Sequence, residues 1–314
     1  MMASDSLIDR YVGCLLGLAC GDALGGAVEF ESREMIGARY PAGVRDMVGG
    51  GPWDLRPGET TDDTAMALAL ARACDAEHLD MTAVTEHFLR WYRSDPKDIG
   101  TTTRAALALL ANGVPWDEAG ERVNRQTPGG AAGNGAVMRC APVALRFRME
   151  PDRLRRASLD TARITHADTR AAWGTVALNQ VIVHLLNEGT LDGVVEAATA
   201  GIEESLVVAA VTSVPTLTED DLASGGYVLA TLTAALWCLL NQPNAEEAIV
   251  TAVGLGRDTD TTGAVTGALV GAAYGVRALP ERWLALVEHR AELTDLAGRL
   301  LRRGSQTTSN TESA

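Results

Sequence analysis

The chain has 314 residues, 46% of them hydrophobic and 22% charged, which excludes a disordered chain and allows a well-buried core. Its net charge of −14 and pI near 4.8 argue against a nucleic-acid-binding face or an anionic membrane as partner, though not against a local phosphate pocket. The five cysteines, at 14, 20, 74, 140 and 238, form no CxxC pair and no metal-ligand spacing, and read as small buried hydrophobes in a reducing compartment.

Nearly every long segment has helical period and few runs alternate as strands do, so an all-α fold is expected. In chain order the predicted helices cover 7–25, 63–75, 82–94, 100–112, 136–147, 152–164, 169–188, 226–241, 245–254, 261–276 and 281–302. Gly- and Pro-rich connectors fall at 41–59, 127–135 and 211–226, and apolar helical pattern resumes on each side of them. That predicts one compact many-helix domain over 1–302, followed by a small, polar and disordered tail at 303–314. The apolar run at 11–28 is interrupted by Gly13, Gly17 and Gly21 and preceded by Asp5 and Asp9, which is wrong for an export signal. The run at 261–276 is too short to span a bilayer. A cytoplasmic protein with no membrane partner is expected.

Two helices carry glycine every fourth residue, at 13, 17, 21 and 25 in "GCLLGLACGDALGG" and at 263, 267, 271 and 275 in "GAVTGALVGAAYG". Such a ladder lowers helix propensity but opens one face to close approach by another helix. Antiparallel packing of the two would bring Glu29 near Asp258 and Asp260.

Acids cluster where two helices open. "TTDDTAMALAL" places Thr61, Asp62 and Asp63 at one start, and "GRDTDTT" places Asp258, Asp260 and Thr261 at another. With Glu29 they make an all-oxygen set, suited to hard cations such as Mg²⁺ or Mn²⁺ rather than zinc. Acids converging without a cation would repel, so a pair of metals is one resolution. The alternative is that each cluster merely caps its own helix. "GGAAGNGAVMR" offers a Gly-rich turn whose backbone N–H groups at Gly133, Asn134 and Gly135 could cradle a diphosphate. Trp53 sits on a loop near the first acid cluster, where it could shape an entrance.

Taken in order, "GCLLGLACGDALGGAVEF", "TDDTAMALAL", "AGNGAVMRCAPVAL", "ARITHAD", "SGGYVLATLTAALW" and "GRDTDTTGAVTGALVGAAYG" resemble the successive motifs of the ADP-ribosylglycohydrolase family. The likeness covers residues 8–285 and is nearest to the dinitrogenase-reductase-activating branch. It implies a compact all-α fold with a binuclear Mg²⁺ or Mn²⁺ centre held by Thr61, Asp62, Asp63, Asp258, Asp260 and Thr261. It implies hydrolysis at C1″ of the distal ribose of an ADP-ribosylated protein or small-molecule conjugate, most readily ADP-ribosyl-arginine. Glu29 and Asp98 match the family's catalytic acids, with their acid and base duties unassigned. Met138, His166 and Tyr227 match positions that line the substrate, Tyr227 by stacking on adenine. The family often works as a monomer. Arg257 and Ala230 depart from the pattern, standing where a small residue and an acid are common. Three other readings stay open: a non-catalytic ADP-ribose binder, a hydrolase of O-acetyl-ADP-ribose or ADP-ribosyl-serine, and a metal-dependent phosphoester or nucleotide hydrolase.

Overall fold

A computed structural model describes the backbone of residues 3–311 and the side chains of residues 6–305. Its helices, in order, are α1 (Ala3–Gly25), α2 (Arg33–Arg39), α3 (Asp62–Cys74), α4 (Met81–Tyr92), α5 (Thr101–Ala111), α6 (Trp116–Gln126), α7 (Ala141–Arg146) and α8 (Pro151–Arg163). They continue as α9 (Thr169–Glu188), α10 (Val194–Thr199), α11 (Ser205–Ser213), α12 (Val228–Asn241), α13 (Ala245–Gly254), α14 (Thr259–Tyr274), α15 (Glu281–Leu284) and α16 (Arg290–Thr311). Among the described residues there is no ladder of strands, only three isolated bridges. The all-α single domain expected from periodicity is therefore what the chain forms. No described helix is long and apolar enough to cross a membrane. The expected tail of 303–314 extends past the described residues, and within them α16 runs to Thr311.

The centre of the molecule is the antiparallel pair α1 and α14. Every residue of α14 from Thr259 to Ala272 is buried, so this helix has no solvent face. Its glycines meet those of α1 rung by rung: Gly263 opposes Gly21, Gly267 opposes Gly17, and Gly271 opposes Gly13. A Cβ added at any of these would sit inside 3.0 Å of a carbonyl oxygen of the facing helix, a separation that real Cβ atoms essentially never show. The helices thus touch backbone to backbone, which only glycine allows. Around this pair pack α9, α12 and α13 against α14, and α16 and α3 against α1. All five cysteines are free and buried, as expected of small core residues.

The differences from the predicted elements have local causes. The helix expected at 136–147 is a 3₁₀ turn, Val137–Arg139, followed by α7, because Pro142 has no amide to continue a helix through that point. The helix expected at 281–302 breaks into α15 and α16 around His289, whose φ is 61°. Helices α2, α6, α10 and α11 were not expected; three are nine residues or shorter, and α6 is mostly polar and buries only Ala119, Gly120 and Val123.

Candidate functional site

The glycine ladder ends where the chemistry begins. Beyond Gly25, the chain leaves α1 and reaches Glu29; at the same end α14 starts with Asp258 and Asp260. Thr259 fixes the junction by donating its hydroxyl to the Gly25 carbonyl at 2.8 Å. The third contributor, α3, is anchored by a residue the sequence pattern did not single out. Asp22 is fully buried on α1 and accepts the Thr61 amide at 2.9 Å and the Thr64 amide at 3.0 Å, besides the Thr64 hydroxyl at 2.5 Å. An acid beside Gly21, the one charged residue in the apolar run 11–28, was the one available signal for it.

The result is two carboxylate groups sharing Asp260. Oxygens of Glu29, Asp98 and Asp260 all lie within 4.8 Å of one another, and so do oxygens of Asp62, Asp63 and Asp260. Thr61 and Thr261 close the second group, their hydroxyls lying 3.5 and 3.3 Å from Asp63 Oδ2. Asp258 stands apart from both groups: its Oδ2 accepts from the Asn134 side-chain amide at 2.8 Å. The helix-cap alternative accounts for Thr61, whose hydroxyl accepts from the Asp63 amide, and for none of the acids. Neither Asp62 nor Asp63 caps α3, and the Asp258 side chain makes no capping bond to α14.

The electrostatics are those of an unneutralised acid cluster. Burial, then repulsion from Asp62 and Glu29, pushes Asp98 up to about 9. Burial raises Glu29 to about 7 against the opposing Trp53 hydrogen bond, and raises Asp62 to about 6. Asp63 and Asp260 are raised well above the usual range, by burial first and by neighbouring acids second. Each also has a buried Oδ1 with no hydrogen-bond partner. Buried, all-oxygen and close together, with an unpartnered oxygen on Asp63 and another on Asp260, these acids fit a divalent cation, which would reverse the repulsion.

Glu29, Asp62, Asp98, Asp258 and Asp260 line a cavity of about 550 Å³, within the size range of small-molecule sites, while Asp63 and Thr61 do not reach its lining. Gly133, Asn134, Gly135, Met138 and His166 line the same cavity. Asn134 is fixed three ways: its amide N–H donates to the Gly226 carbonyl, and its side chain donates to Thr231 and Asp258. A Cβ at Gly135 would lie 2.6 Å from the His166 ring, so glycine there lets the loop pass over the imidazole. Tyr227 does not line the cavity. Its backbone pairs with Gly133 in an isolated bridge and its ring lies 5.7 Å beneath the Arg170 guanidinium.

The state of His166 follows from its partners. The buried Arg139 guanidinium donates to Thr165 Oγ1 at 2.8 Å, and that hydroxyl lies 2.8 Å from His166 Nδ1. Arginine has only donors, so the Thr165 oxygen accepts there, and the same hydroxyl either gives its proton to Nδ1 or accepts one from it. Burial, reinforced by Arg139, pushes His166 down to about 3 and keeps the ring neutral. Nε2 is the nitrogen that faces Gly133 and Gly135. Neither Arg139 nor Thr165 was among the residues the sequence reading selected. Thr101, Thr102 and Thr103 also line the cavity unforeseen.

Two rim residues complete the site. Trp53 donates from Nε1 to Glu29 Oε2 at 2.5 Å, from a loop folded back by the Gly50–Leu55 bridge. Phe30 packs edge-on against Trp53 with ring centroids 6.1 Å apart.

With this geometry in view, the likenesses to known proteins are specific. The chain matches the family model described as ADP-ribosylglycohydrolase over residues 3–310. It is 34% identical to the ADP-ribosylarginine hydrolase Tri1 of Serratia proteamaculans (strain 568), over 95% of this chain and 80% of that protein. It is 34% identical to the ADP-ribosyl-[dinitrogen reductase] glycohydrolase of Rhodospirillum rubrum, over 93% of this chain and 94% of that one. A solved structure titled ADP-ribosylglycohydrolase-related protein complex superposes with a TM-score of 0.81 at 36% identity, covering 95% of this chain and 99% of the other.

Proposed function

Because the chain belongs to the ADP-ribosylglycohydrolase family, and is thereby an ADP-ribosyl glycohydrolase, we propose that it releases ADP-ribose from ADP-ribosyl-arginine in a reaction dependent on two Mg²⁺ or Mn²⁺ ions. The observation that carries this reading is the cavity itself. Glu29, Asp62, Asp98 and Asp260 line it together with the Gly133–Gly135 loop and the His166 ring. Arginine is favoured as the leaving group by the name of one relative at 34% identity, the ADP-ribosylarginine hydrolase Tri1.

Asp62, Asp63 and Asp260, with Thr61 and Thr261, would hold one ion, and Glu29, Asp98 and Asp260 border the place of a second. Asp258 would join them by releasing Asn134. When bound, such ions lower the pKa of a coordinated water and grip ribose hydroxyls.

The remaining work falls to side chains. The Gly133 and Gly135 amides and His166, with its proton on Nε2, would donate to the diphosphate and ribose oxygens, fixing C1″ over the acids, while the Asn134 amide stays with Gly226. Glu29, oriented by Trp53, would take a proton from the attacking water. Asp98 carries no side-chain hydrogen bond among the described residues and faces the cavity, so it is free to meet the leaving group. Water oxygen bonds to C1″, the C1″–N bond breaks, and the guanidine nitrogen takes a proton from the acid beside it. The carboxylates also stabilise the oxocarbenium-like transition state between these events.

The test is ADP-ribose release from ADP-ribosyl-arginine, ADP-ribosyl-serine and O-acetyl-ADP-ribose, each with Mg²⁺, Mn²⁺ or chelator. Metal-dependent release from the arginine conjugate alone is expected. Preferential release from either other conjugate would reassign the leaving group. Tight ADP-ribose binding without release from any would make the protein a binder.

A further inference from the structure

The loop leaving α1 and the loop entering α14 are clamped together at the cavity mouth. The Phe30 amide donates to the Arg257 carbonyl at 2.6 Å, and the Arg257 amide donates to the Glu31 carbonyl at 2.6 Å. The Ser32–Gly256 bridge extends the pairing. Both Phe30 and Arg257 have left-handed backbone, with φ of 67° and 64°. That region is easy for glycine and tolerable for Asn or Asp, but strained for bulky residues. Elsewhere among the described residues it is taken by thirteen glycines, two aspartates and His289. A phenylalanine and an arginine facing each other there stand out.

Burial does not offset the strain. Phe30 is 66% exposed, and the exposed Arg257 side chain makes no hydrogen bond or ion pair among the described residues. Yet both line the cavity that holds Glu29 and Asp98. Strained backbone of this kind persists where the surrounding structure enforces it, and it clusters at ligand clamps. These two side chains are therefore held ready for something outside the fold.

We propose that Phe30 and Arg257 form a subsite for the polypeptide carrying the modified arginine, with Arg257 pairing to an acidic residue that flanks it. This rests on the arginine reading above. Phe30 lies next to Glu29, and its ring is a platform for the planar guanidinium and its alkyl stem. Arg257 makes no side-chain hydrogen bond or close ion pair among the described residues, and its charge is felt only at the exposed Glu34. The chain has a net charge of −14, so an acidic flank is repelled by most of the protein and attracted here. A neutral flank finds nothing to pair with.

The experiment uses two ADP-ribosyl-arginine peptides that differ only in Asp or Asn beside the arginine, together with free ADP-ribosyl-arginine and saturating Mn²⁺. Wild-type protein is expected to favour the Asp peptide about fivefold in kcat/KM, the size of one partly exposed ion pair. Arg257→Asn should bring that ratio to about one, and Arg257→Lys should keep most of it. Phe30→Gly should lower kcat/KM about fivefold on every arginine conjugate while leaving the Asp-to-Asn ratio intact. Asn and Gly both suit left-handed backbone, so these variants should fold at least as well as wild type. An unchanged ratio in Arg257→Asn would overturn the subsite, and so would an equal loss on both peptides, which would place Arg257 on the ADP-ribose instead. Failure of wild-type protein to release ADP-ribose even from free ADP-ribosyl-arginine would refute the arginine reading, and the subsite with it.

Discussion

The most exacting test of the architecture is one methyl group at Gly267. In an ordinary exposed helix, Gly→Ala stabilises by about 1 kcal/mol, because glycine gives up more backbone freedom on folding. At Gly267 the new Cβ would fall inside 3.0 Å of the Gly17 carbonyl oxygen and carbon, both backbone atoms that no rotamer change can move. That oxygen lies 2.0 Å from the Cβ position, so the two helices would have to part by at least about 1 Å to reach even 3.0 Å, a gap that forfeits about half of the dispersion between the facing atoms. Overpacking of this kind costs about 1–3 kcal/mol, and a backbone clash sits at the top of that range. Set against the propensity gain, the net expectation is a loss of about 2 kcal/mol.

Gly37, in α2, supplies the matched control, since a Cβ there meets nothing within 4 Å. Gly37→Ala should gain up to about 1 kcal/mol. Equilibrium urea unfolding of both variants would read the difference. With a slope of about 3 kcal/mol/M for a chain of this size, Gly267→Ala should lower the midpoint by about 0.7 M while Gly37→Ala raises it. Gly267→Ala should also lose turnover out of proportion to its stability, because Glu29 and Asp260 follow α1 and open α14, and catalytic groups tolerate only about 0.5 Å of misplacement. If Gly267→Ala matched Gly37→Ala in stability, the close backbone contact would not be what holds the two helices.

Two further outcomes are expected. Asp260→Asn should lower ADP-ribose release at least about 10³-fold, yet in chelator its thermal midpoint should rise, because one member of a buried, mutually repelling set has been neutralised; a lower midpoint in chelator would mean that the carboxylate stabilises the metal-free fold. In chelator, stability should also fall as pH rises from 6.5 to 9: Glu29 and Asp98, raised to about 7 and about 9, keep protons in the folded state that the unfolded state has already lost, and their contribution disappears as they ionise. Thermal melts with saturating Mn²⁺ should show that decline removed, since the ion binds the ionised acids, and a decline of equal size in both conditions would refute the assignment.

What was legible in the sequence was local. Glycines at fixed spacing and acids side by side are patterns within one segment, and two matching ladders sufficed to predict that Glu29 and Asp260 would meet. What was hidden was long-range. Asp22 reads as a lone acid in an apolar helix until its partners appear 39 and 42 residues away. Arg139 reads as a charge that should be exposed; its burial makes sense only with Thr165 beside it and the Phe88 ring 4.7 Å away. Asp258 sits at a helix start in the sequence, yet its carboxylate turns to Asn134, a partner set by how the 133–135 loop crosses the start of α14. Left-handed backbone at Phe30 and Arg257 has no composition signal at all, since neither residue favours it.

The hidden features share a cause, and it is the same one that explains the glycines. Gathering this many carboxylates in a buried place is unfavourable, so nothing local would hold them there. Each of the three contributing segments is instead fixed from outside the cluster. The ladder sets the distance between α1 and α14, Asp22 pins the first turn of α3 to α1, and the paired loops at Phe30 and Arg257 lock the junction that carries Glu29. All three isolated bridges lie at this end of the molecule, each tying one loop of the site. A fold made almost wholly of helices has thus placed its few cross-chain backbone pairings where mutual repulsion would otherwise push the acids apart. Weakening any one of these ties should show first as lost cation affinity, before the rest of the fold responds.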